Sequence, residues 1–478
     1  MKARFMGIVT GVALLAAVGQ GMAATDHSEF IKGPFKNGPS VTKACLECHD
    51  KQASDFIKTP HWLWKGPTKG HVRGYEHSKA EFGKTNMINA FCVSVEGGPN
   101  QESRGHCSEC HPGYVWNRKN FDFSDKTKID CLVCHAQKGD YAREDDKISE
   151  FSDLTKAAAS VGAPTLKNCG FCHYSGGGDD GVKHGDLDST INKADKSLDV
   201  HMASKAKGGL GFACQTCHKT KDHRIAGAST MMATYDGRVF CEDCHSGKNA
   251  PHQKSRNGAI LNNHLKTVAC QTCHIPTFAR VKATRMGWDW STATANLKLP
   301  PQEGRVAFAQ GKGTWTWGKN VVPTYMWYDG TIYRYMKGEK IKNPAKPVVL
   351  MRPDGSIVEK GAKIYPFKTY TGKQPMDAQY KYLSVFQQYK GLWDTLNWQK
   401  SLEDGNNALP YSGKYRFVST VSYIGQNHMI APKEQALACG ECHMGGSRMD
   451  WKALGYKGDP MRIGGRFAKK PLKVARKK

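Results

Sequence analysis

Sixteen of the 17 cysteines in this 478-residue chain belong to eight copies of the pentapeptide Cys-x-x-Cys-His. Two thiols separated by two residues reach the same edge of a porphyrin and add across its vinyl groups, and the adjoining histidine then lies beneath the iron. The spacing therefore predicts eight covalently attached haem c groups, each with the motif histidine as the proximal iron ligand. The motifs consist of Cys45, Cys48 and His49; Cys107, Cys110 and His111; Cys131, Cys134 and His135; Cys169, Cys172 and His173; Cys214, Cys217 and His218; Cys241, Cys244 and His245; Cys270, Cys273 and His274; and Cys439, Cys442 and His443.

Other uses of paired cysteines explain this pattern less well. Structural zinc sites gather their ligands in fours, whereas here every pair is followed by a histidine and the pairs are not grouped two by two. A disulfide framework is typical of a short secreted scaffold, not of a long chain whose cysteines recur in one pentapeptide. Haem attachment is therefore the favoured interpretation.

The remaining histidines bear on whether the irons transfer electrons or catalyse a reaction. Of the 19 histidines, eight are assigned as proximal ligands and eleven remain. An iron that only transfers electrons is best held by two strong ligands, whereas a catalytic iron needs a distal position that is open or weakly held. Eleven histidines suffice for all eight irons, so the count does not decide. The histidines that context favours as distal ligands are His61, His184, His201, His223, His252, His264 and His428; the other four are His27, His71, His77 and His106.

Residues 1–24 are predicted to form a cleaved secretory signal peptide. Lys2 and Arg4 give a basic start, Met6 to Val18 an apolar segment, and residues 22–24 a cleavage site. The apolar segment is shorter than the roughly 20 residues that a membrane span needs, and the mean hydropathy of −0.57 predicts no later span. Because thioether attachment of haem takes place outside the cytoplasm, we expect a periplasmic protein that does not span the membrane.

The formal net charge of the chain is +26. Haem propionates bring about sixteen negative charges, and ferric iron restores about one positive charge per haem, so the mature protein is expected to stay basic. A basic surface attracts small anions, which favours an anionic substrate. An equally open alternative is that lysine and arginine merely neutralise the propionates. Nucleic acid is not an expected partner in the periplasm.

The uneven distribution of the motifs predicts four segments. They are the signal peptide (1–24), a haem-rich region with haems 1–7 (25–285), a cysteine-free aromatic-rich segment (286–438), and haem 8 with a basic tail (439–478). The crowding of six motifs leaves no room for independent domains. The expected fold is mainly α-helical with much irregular structure, a multihaem cytochrome c built around a close-packed array of haems.

A small β-containing segment is expected in the C-terminal half. Aromatic and β-branched residues flank Asp329-Gly330, which predicts a hairpin between Tyr325–Tyr328 and Ile332–Tyr335. Met376 to Asp404 contains no glycine or proline except Gly391 and is predicted to be helical. This half would cover the haem array or shape a substrate channel, with most of its aromatic residues packed on porphyrin faces.

Cys92 is the one cysteine outside the motifs and precedes Cys107 by fifteen residues. A buried inert thiol and a thiolate that exchanges with sulfur substrates are both open. The segment 26–35, the eight motifs at this spacing, Asn89-x-x-Cys92 and Asp180-x-x-Lys183 together resemble the octahaem tetrathionate reductases. The resemblance extends over essentially the whole mature chain.

That resemblance implies an enzyme that reduces tetrathionate to two thiosulfates at the second haem, which falls in segment 25–285. It implies that the Lys183 amine takes the distal position there, that Asn89, Cys92 and Asp180 line the pocket, and that the other seven haems are bis-histidine. Lysine ligates only as a neutral amine, so burial and the iron must lower its pKa. The resemblance also implies a membrane-anchored, quinol-oxidising cytochrome as electron donor.

Two alternatives stay open. Nitrite or hydroxylamine reduction at the same haem is one, although the Cys-x-x-Cys-Lys motif typical of cytochrome c nitrite reductases does not occur. The other is a non-catalytic electron carrier with eight bis-histidine irons, which the eleven spare histidines permit.

Overall fold

The computed structural model describes residues 26–68, 70–73, 81–91, 109–116, 121–144, 147–176, 178–227 and 237–466. The predicted signal peptide, Cys92, Cys107 and the basic end of the chain lie outside these ranges. Within the described ranges, no helix is both long and apolar enough to cross a bilayer.

Most of the helices are short, and seven of them overlap a Cys-x-x-Cys-His motif. A helical turn suits the motif because residues three positions apart lie on one face, which brings the two sulfurs together. The longest helix has 19 residues and starts after Asn37, whose side chain and backbone exchange hydrogen bonds with Ser40. The α-helices are α1 Gly38–Phe56, α2 Pro60–Leu63, α3 Leu132–His135, α4 Leu154–Ala159, α5 Leu166–His173, α6 Cys214–Cys217, α7 Cys241–Cys244, α8 Gly258–His264, α9 Cys270–His274, α10 Trp393–Thr395, α11 Trp398–Asp404, α12 Cys439–His443 and α13 Pro460–Ile463.

Single helical turns of other types connect these elements. A π-type turn spans Gln388–Leu392. The 3-10 turns are His27–Glu29, Lys126–Lys128, Ser189–Lys193, Lys205–Lys207, Gly247–Asn249, Trp290–Thr292, Gly405–Asn407 and Lys433–Gln435.

The strands are concentrated in the C-terminal half. In the described residues, nine of them form one sheet in the order β2-β12-β13-β15-β14-β8-β10-β9, with β11 also paired to β14. The strands are β1 Lys65–Pro67, β2 Val72–Arg73, β3 Glu81–Gly83, β4 Arg143–Glu144, β5 Lys147–Ile148, β6 Thr220–Lys221, β7 Arg224–Ile225, β8 Thr284–Asp289, β9 Phe308–Ala309, β10 Gly313–Gly318, β11 Thr324–Tyr328, β12 Ile332–Arg334, β13 Val348–Pro353, β14 Lys363–Asp377 and β15 Tyr415–Gly425.

The sheet is larger than the small β segment that the sequence predicts. Its centre is β14, which runs antiparallel to β15 over its C-terminal eleven residues and parallel to β8. The sheet also recruits β2, which precedes the second motif, and β8, which begins at Thr284, two residues before the segment predicted from residue 286. Pairing between strands this far apart in sequence leaves no local signal, so the sequence underestimates the sheet.

The predicted hairpin around Asp329-Gly330 is wrong, although both of its strands exist. β11 pairs with β14, and β12 pairs with β13. Asp329 explains the divergence: its carboxylate accepts hydrogen bonds from the backbone and hydroxyl of Thr331, while its backbone N–H donates to Asp354. The turn therefore directs the two strands to different partners.

The helix predicted over Met376–Asp404 is confined to the end of that range. β14 continues to Asp377, whose carboxylate accepts backbone hydrogen bonds from Gln379 and Tyr380 and so forms a turn. Positive φ angles at Lys381 and Lys390, of 60° and 53°, interrupt regular helix before α11 begins. Local turn chemistry thus overrides the absence of glycine and proline.

The main hydrophobic core packs on this sheet. Trp290, Phe367 and Tyr370 are fully buried in it. Val182 and the side chains of residues 88, 90 and 91 belong to the same cluster. Since Val182 immediately precedes Lys183, the core fixes both segments that the resemblance assigns to the pocket of the second haem.

Candidate functional site

Seven of the eight motif histidines face a second histidine across a nearly constant distance. The ring centroids are 6.1 Å apart for His27–His49, 6.3 Å for His61–His173, 6.4 Å for His135–His223, 6.2 Å for His201–His245, 6.3 Å for His218–His428, 6.4 Å for His252–His274 and 6.2 Å for His264–His443. Each histidine occurs in only one of these pairs. The partners come from segments far from the motif that they face.

In six of these rings the hydrogen bond uses Nδ1 and leaves Nε2 available. Six rings bond through Nδ1, at 2.6–3.3 Å, to a carbonyl, amide or carboxylate oxygen: those of His135, His218, His252, His264, His428 and His443. A hydrogen bond at Nδ1 fixes the tautomer and directs Nε2 away from it. These rings therefore present Nε2 to the space between the paired histidines.

Burial keeps several of these imidazoles in the neutral form that a metal requires. It lowers the pKa of His61, His201, His223 and His274. For His173, burial and then the positive charges of His61 and Lys183 lower the pKa to about 3. A neutral ring has the lone pair that binds a metal ion.

His428 has a carboxylate partner of its own. Burial lowers the pKa of His428, but the hydrogen bond and negative charge of Asp186 more than offset it, so the net pKa is raised. Asp186 is 1% exposed, its pKa is lowered to about 2, and it also accepts a hydrogen bond from the backbone N–H of Asn427 at 2.5 Å. A carboxylate behind a ligating histidine raises the basicity of that ligand.

His111 of the second motif has a different hydrogen-bond pattern. It is fully buried, and its Nε2 hydrogen-bonds with the carbonyl of Trp62 at 2.7 Å. Its ring stacks on Trp116 at 4.5 Å between centroids. Further aromatic rings surround it at 5.2–6.3 Å: Trp62, Trp64, Phe121 and Phe123. Aromatic rings thus enclose the histidine of the second motif.

Lys183 is buried beside the second and fourth motifs. It is 8% exposed, and its Cδ lies 3.1 Å from the place that a Cβ on Gly176 would take. Gly176 follows α5, in which Cys172 contacts the carbonyl of Cys110 at 3.8 Å. A hydrogen bond from Cys172, followed by the positive charges of Lys84 and Lys183, lowers the pKa of the free Cys110 thiol to about 7 against the effect of burial. The lysine therefore lies within electrostatic reach of the second attachment site.

The other residues that the resemblance assigns to the pocket differ in their surroundings. Asp180 forms an ion pair with Lys282 and accepts hydrogen bonds from the backbone and hydroxyl of Ser189. The side-chain oxygen of Asn89 accepts a hydrogen bond from the backbone of Phe91 at 2.8 Å. Cys92 lies outside the described residues. The core cluster brings the backbone near Asn89 close to the sheet that also holds Val182.

A buried ion pair ties the second motif to the third. The side chains of Arg143 and Asp130 are fully buried and 3.2 Å apart. Arg143 also donates to the carbonyls of His111 and Gly113, at 2.5 and 2.9 Å. Asp130 immediately precedes Cys131. Neither Arg143 nor Asp130 stands in a motif, so no local pattern in the sequence predicts this link.

Known proteins resemble the chain at two levels. A family model described as bacterial cytochrome c matches residues 285–446. The crystal structure of an octahaem cytochrome c from Shewanella oneidensis is similar with a TM-score of 0.81 and 41% sequence identity, covering 92% of this chain and 98% of that chain. The chain belongs to the octahaem cytochrome c family. This octahaem cytochrome is a haem-dependent redox protein with covalently bound haem c, and its eight motifs match the number in the relative's description. Among curated protein sequences, none matches the chain.

The seven histidine pairs of this octahaem cytochrome fit bis-histidine haems. With metal–nitrogen distances of about 2 Å and a ring nitrogen about 1 Å from the ring centre, two coaxial imidazoles on one metal have centroids roughly 6 Å apart. The observed separations of 6.1–6.4 Å agree with this value. The second motif fits less directly, because His111 must give up its bond to Trp62 before Nε2 faces an iron.

Six of the seven histidines predicted as distal ligands occur in these pairs. The exception is His184, which is half-buried and belongs to none of the pairs; in its place, His27 faces His49. His27 lies in a 3-10 turn capped by Asp26, close to the start of the described chain. His27 is recognisable as a partner only in the structure, where this turn brings its ring opposite His49 of the first motif. The sequence carries no local signal for such a contact. The ligand assignments themselves stay proposals.

Proposed function

We propose that this octahaem cytochrome is a periplasmic reductase that converts one tetrathionate into two thiosulfates with two electrons. The observation that carries the proposal is the burial of Lys183 beside the second attachment motif, at 8% exposure and within electrostatic reach of Cys110. Burial favours the neutral form of a lysine amine, and only that form binds a metal. Ligation through the neutral amine is consistent with this buried position.

His111 and Lys183 would hold the second haem, and the seven histidine pairs would hold the others. The haems, when bound, supply one-electron transfer and an iron that a substrate can approach. A primary amine yields to an incoming ligand more readily than a second imidazole does. Lys183 is therefore suited to occupy the distal side in the resting protein and to leave it when a substrate binds.

Two positive charges would receive the anion. Lys84 and Lys183 both lower the pKa of the Cys110 thiol, so both lie near the second motif. An amine released beside an anionic substrate takes up a proton, because the negative charge favours the ammonium form, and the resulting charge pair strengthens anion binding where the dielectric is low. Asn89 would orient the substrate. Asp180, bound to Lys282, would set the local charge.

Cys92 would give a covalent route. Its thiolate attacks the central sulfur–sulfur bond of tetrathionate, forms a cysteine–thiosulfate disulfide and releases the first thiosulfate. Two electrons then break that disulfide, release the second thiosulfate and restore the thiolate. Thiosulfate is a good leaving group, so the first step needs no further reactant, and the second needs only the two electrons. The electrons would come from a membrane-anchored, quinol-oxidising cytochrome.

Side-by-side steady-state turnover with a reduced dye and tetrathionate, nitrite or hydroxylamine tests this function. We expect tetrathionate to give the highest kcat/KM, and Cys92→Ser to lower that value without a matching loss for nitrite. A higher kcat/KM for nitrite or hydroxylamine would make the protein a nitrogen-compound reductase. Absence of turnover with all three substrates would leave an electron carrier.

A further inference from the structure

The sheet holds the backbone around Lys183 through buried side chains. Lys368, at the centre of β14, is 0% exposed. Its Nζ donates to the carbonyls of Val182 and Lys183, at 3.1 and 3.0 Å, and to the hydroxyl of Thr284 at 2.5 Å. Thr284 in turn donates to the Val182 carbonyl at 3.0 Å. Three acceptors thus surround an amine with three N–H groups.

The segment on either side of Lys183 is held as well. Gln426, just after β15, donates to the carbonyl of His184 at 3.2 Å. Arg305 donates to the Asp180 carbonyl at 2.7 Å and pairs with the carboxylate of Asp179. These donors lie more than a hundred residues away in sequence, on or next to the C-terminal sheet. The backbone from 179 to 184 is therefore anchored at several points.

The side chain of Lys183 passes over a glycine. Its Cδ lies next to Gly176, where a Cβ would come within 3.1 Å. The missing Cβ of Gly176 therefore leaves space that the aliphatic part of the lysine occupies. With the backbone anchored, movement of Lys183 depends on its side-chain torsions.

Burying an amino group costs free energy that hydrogen bonds only partly return. An apolar side chain of similar length at Lys368 would fill the core without that cost. The amine instead bridges the carbonyls of the residues on which the proposed ligand is mounted. Its contacts therefore indicate that Lys368 serves to place Lys183 rather than to stabilise the sheet.

We propose that Lys368 is a positioning residue, which fixes the backbone of Lys183 so that the amine can leave and return to the same point. This inference rests on the proposed ligation by Lys183. Lys368 acts through backbone carbonyls and does not touch the substrate or the haem. Thr284 completes the same contact by bridging Lys368 and Val182.

The test uses four variants of the haem-loaded protein: Lys368→Met, Thr284→Val, Lys183→Leu and the control Lys373→Met. Lys373 is exposed on the same strand, so its replacement makes the same chemical change outside the core. The readouts are the EPR spectrum of the oxidised protein and the affinity for cyanide, which competes with the distal ligand. Thr284→Val keeps the test valid if Lys368→Met fails to fold.

Loss of one or two hydrogen bonds should shift the balance between bound and released lysine by roughly 5- to 30-fold. We expect Lys368→Met and Thr284→Val to bind cyanide tighter by that factor and to convert part of the lysine–histidine EPR signal to high-spin, while Lys373→Met matches the wild type. Wild-type cyanide affinity and an unchanged signal in both core variants would overturn the positioning role. If Lys183→Leu also matched the wild type, the ligation on which the inference rests would fail instead.

Discussion

The imidazole rings of His27 and His49 lie 6.1 Å apart, although His27 belongs to a separate 3-10 turn that precedes the first motif helix. This turn is capped by Asp26, which accepts a hydrogen bond from the backbone of Ser28 at 2.9 Å. The start of the described chain therefore folds back so that His27 faces the histidine of the first motif. Its geometry matches that of the six other histidine pairs.

Replacement of His27 tests this relationship. His27→Ala should remove one strong distal ligand, convert one bis-histidine haem to a high-spin or water-bound form and raise the reduction potential of that haem. His184→Ala is the matched control, because His184 is half-buried but occurs in none of the seven pairs. EPR spectra of the oxidised proteins provide the measurement. Loss of a bis-histidine signal in His184→Ala but not in His27→Ala would reverse the assignment.

Asp186 should tune the haem that His218 and His428 are proposed to hold. Asp186→Asn removes the negative charge next to Nδ1 of His428, which lies 3.3 Å from the carboxylate. A less basic imidazole stabilises ferric iron less, so one of the eight midpoint potentials should rise. Asp188→Asn is the control, since that buried carboxylate bonds to Thr190. Spectroelectrochemical titration measures the potentials, and equal titrations of Asp186→Asn and the wild type would contradict the assignment.

Gly176 should matter for its lack of a side chain. In Gly176→Ala the new Cβ would come within 3.1 Å of Cδ of Lys183, so the lysine must move by a few tenths of an ångström. We expect weaker ligation and cyanide binding tightened by about 2- to 5-fold, which corresponds to about 0.5–1 kcal/mol of strain. Gly361→Ala is the control, because its Cβ would meet nothing within 4 Å. Looser cyanide binding in Gly176→Ala would contradict this account.

The ion pair between Asp180 and Lys282 predicts a dependence of stability on pH. Burial alone would raise the pKa of Asp180, but hydrogen bonds from Lys282 and Ser189 lower it below its ordinary value of 3.8. A lowered carboxyl pKa contributes stability that is present above pH 3.8 and is lost as the pH falls through the folded-state pKa.

Thermal unfolding at pH 5 and pH 3 measures this contribution. Between these values the unfolding midpoint of the wild type should fall further than that of Asp180→Asn, by an amount equivalent to about 0.5–1 kcal/mol for a partly exposed pair. An equal fall in the two proteins would show that the ion pair adds no stability.

Part of this site is predictable from sequence because its chemistry is local. The Cys-x-x-Cys-His spacing predicts haem attachment within five residues, and the family relationship supports it. The contacts of Lys368 with Val182 and Lys183 join residues more than 180 positions apart, and no local pattern marks them.

The β structure illustrates the same limit. The aromatic strands around Asp329 are correctly predicted as strands, because alternation and β-branched residues act locally. The predicted pairing of these two strands with each other is wrong. Their pairing is decided by the long strand β14 and by the hydrogen bond from Asp329 to Asp354. Fold elements can thus be read locally, whereas the sheet that holds Lys183 cannot.

The most direct test of the central claim is the EPR spectrum of the oxidised protein with and without the Lys183 amine. If Lys183 ligates the second haem, the wild type should show one lysine–histidine species beside seven bis-histidine haems. Lys183→Leu should lose that species alone and gain a high-spin signal. A spectrum of Lys183→Leu that superimposes on that of the wild type would contradict the assignment of the second motif as the reactive haem.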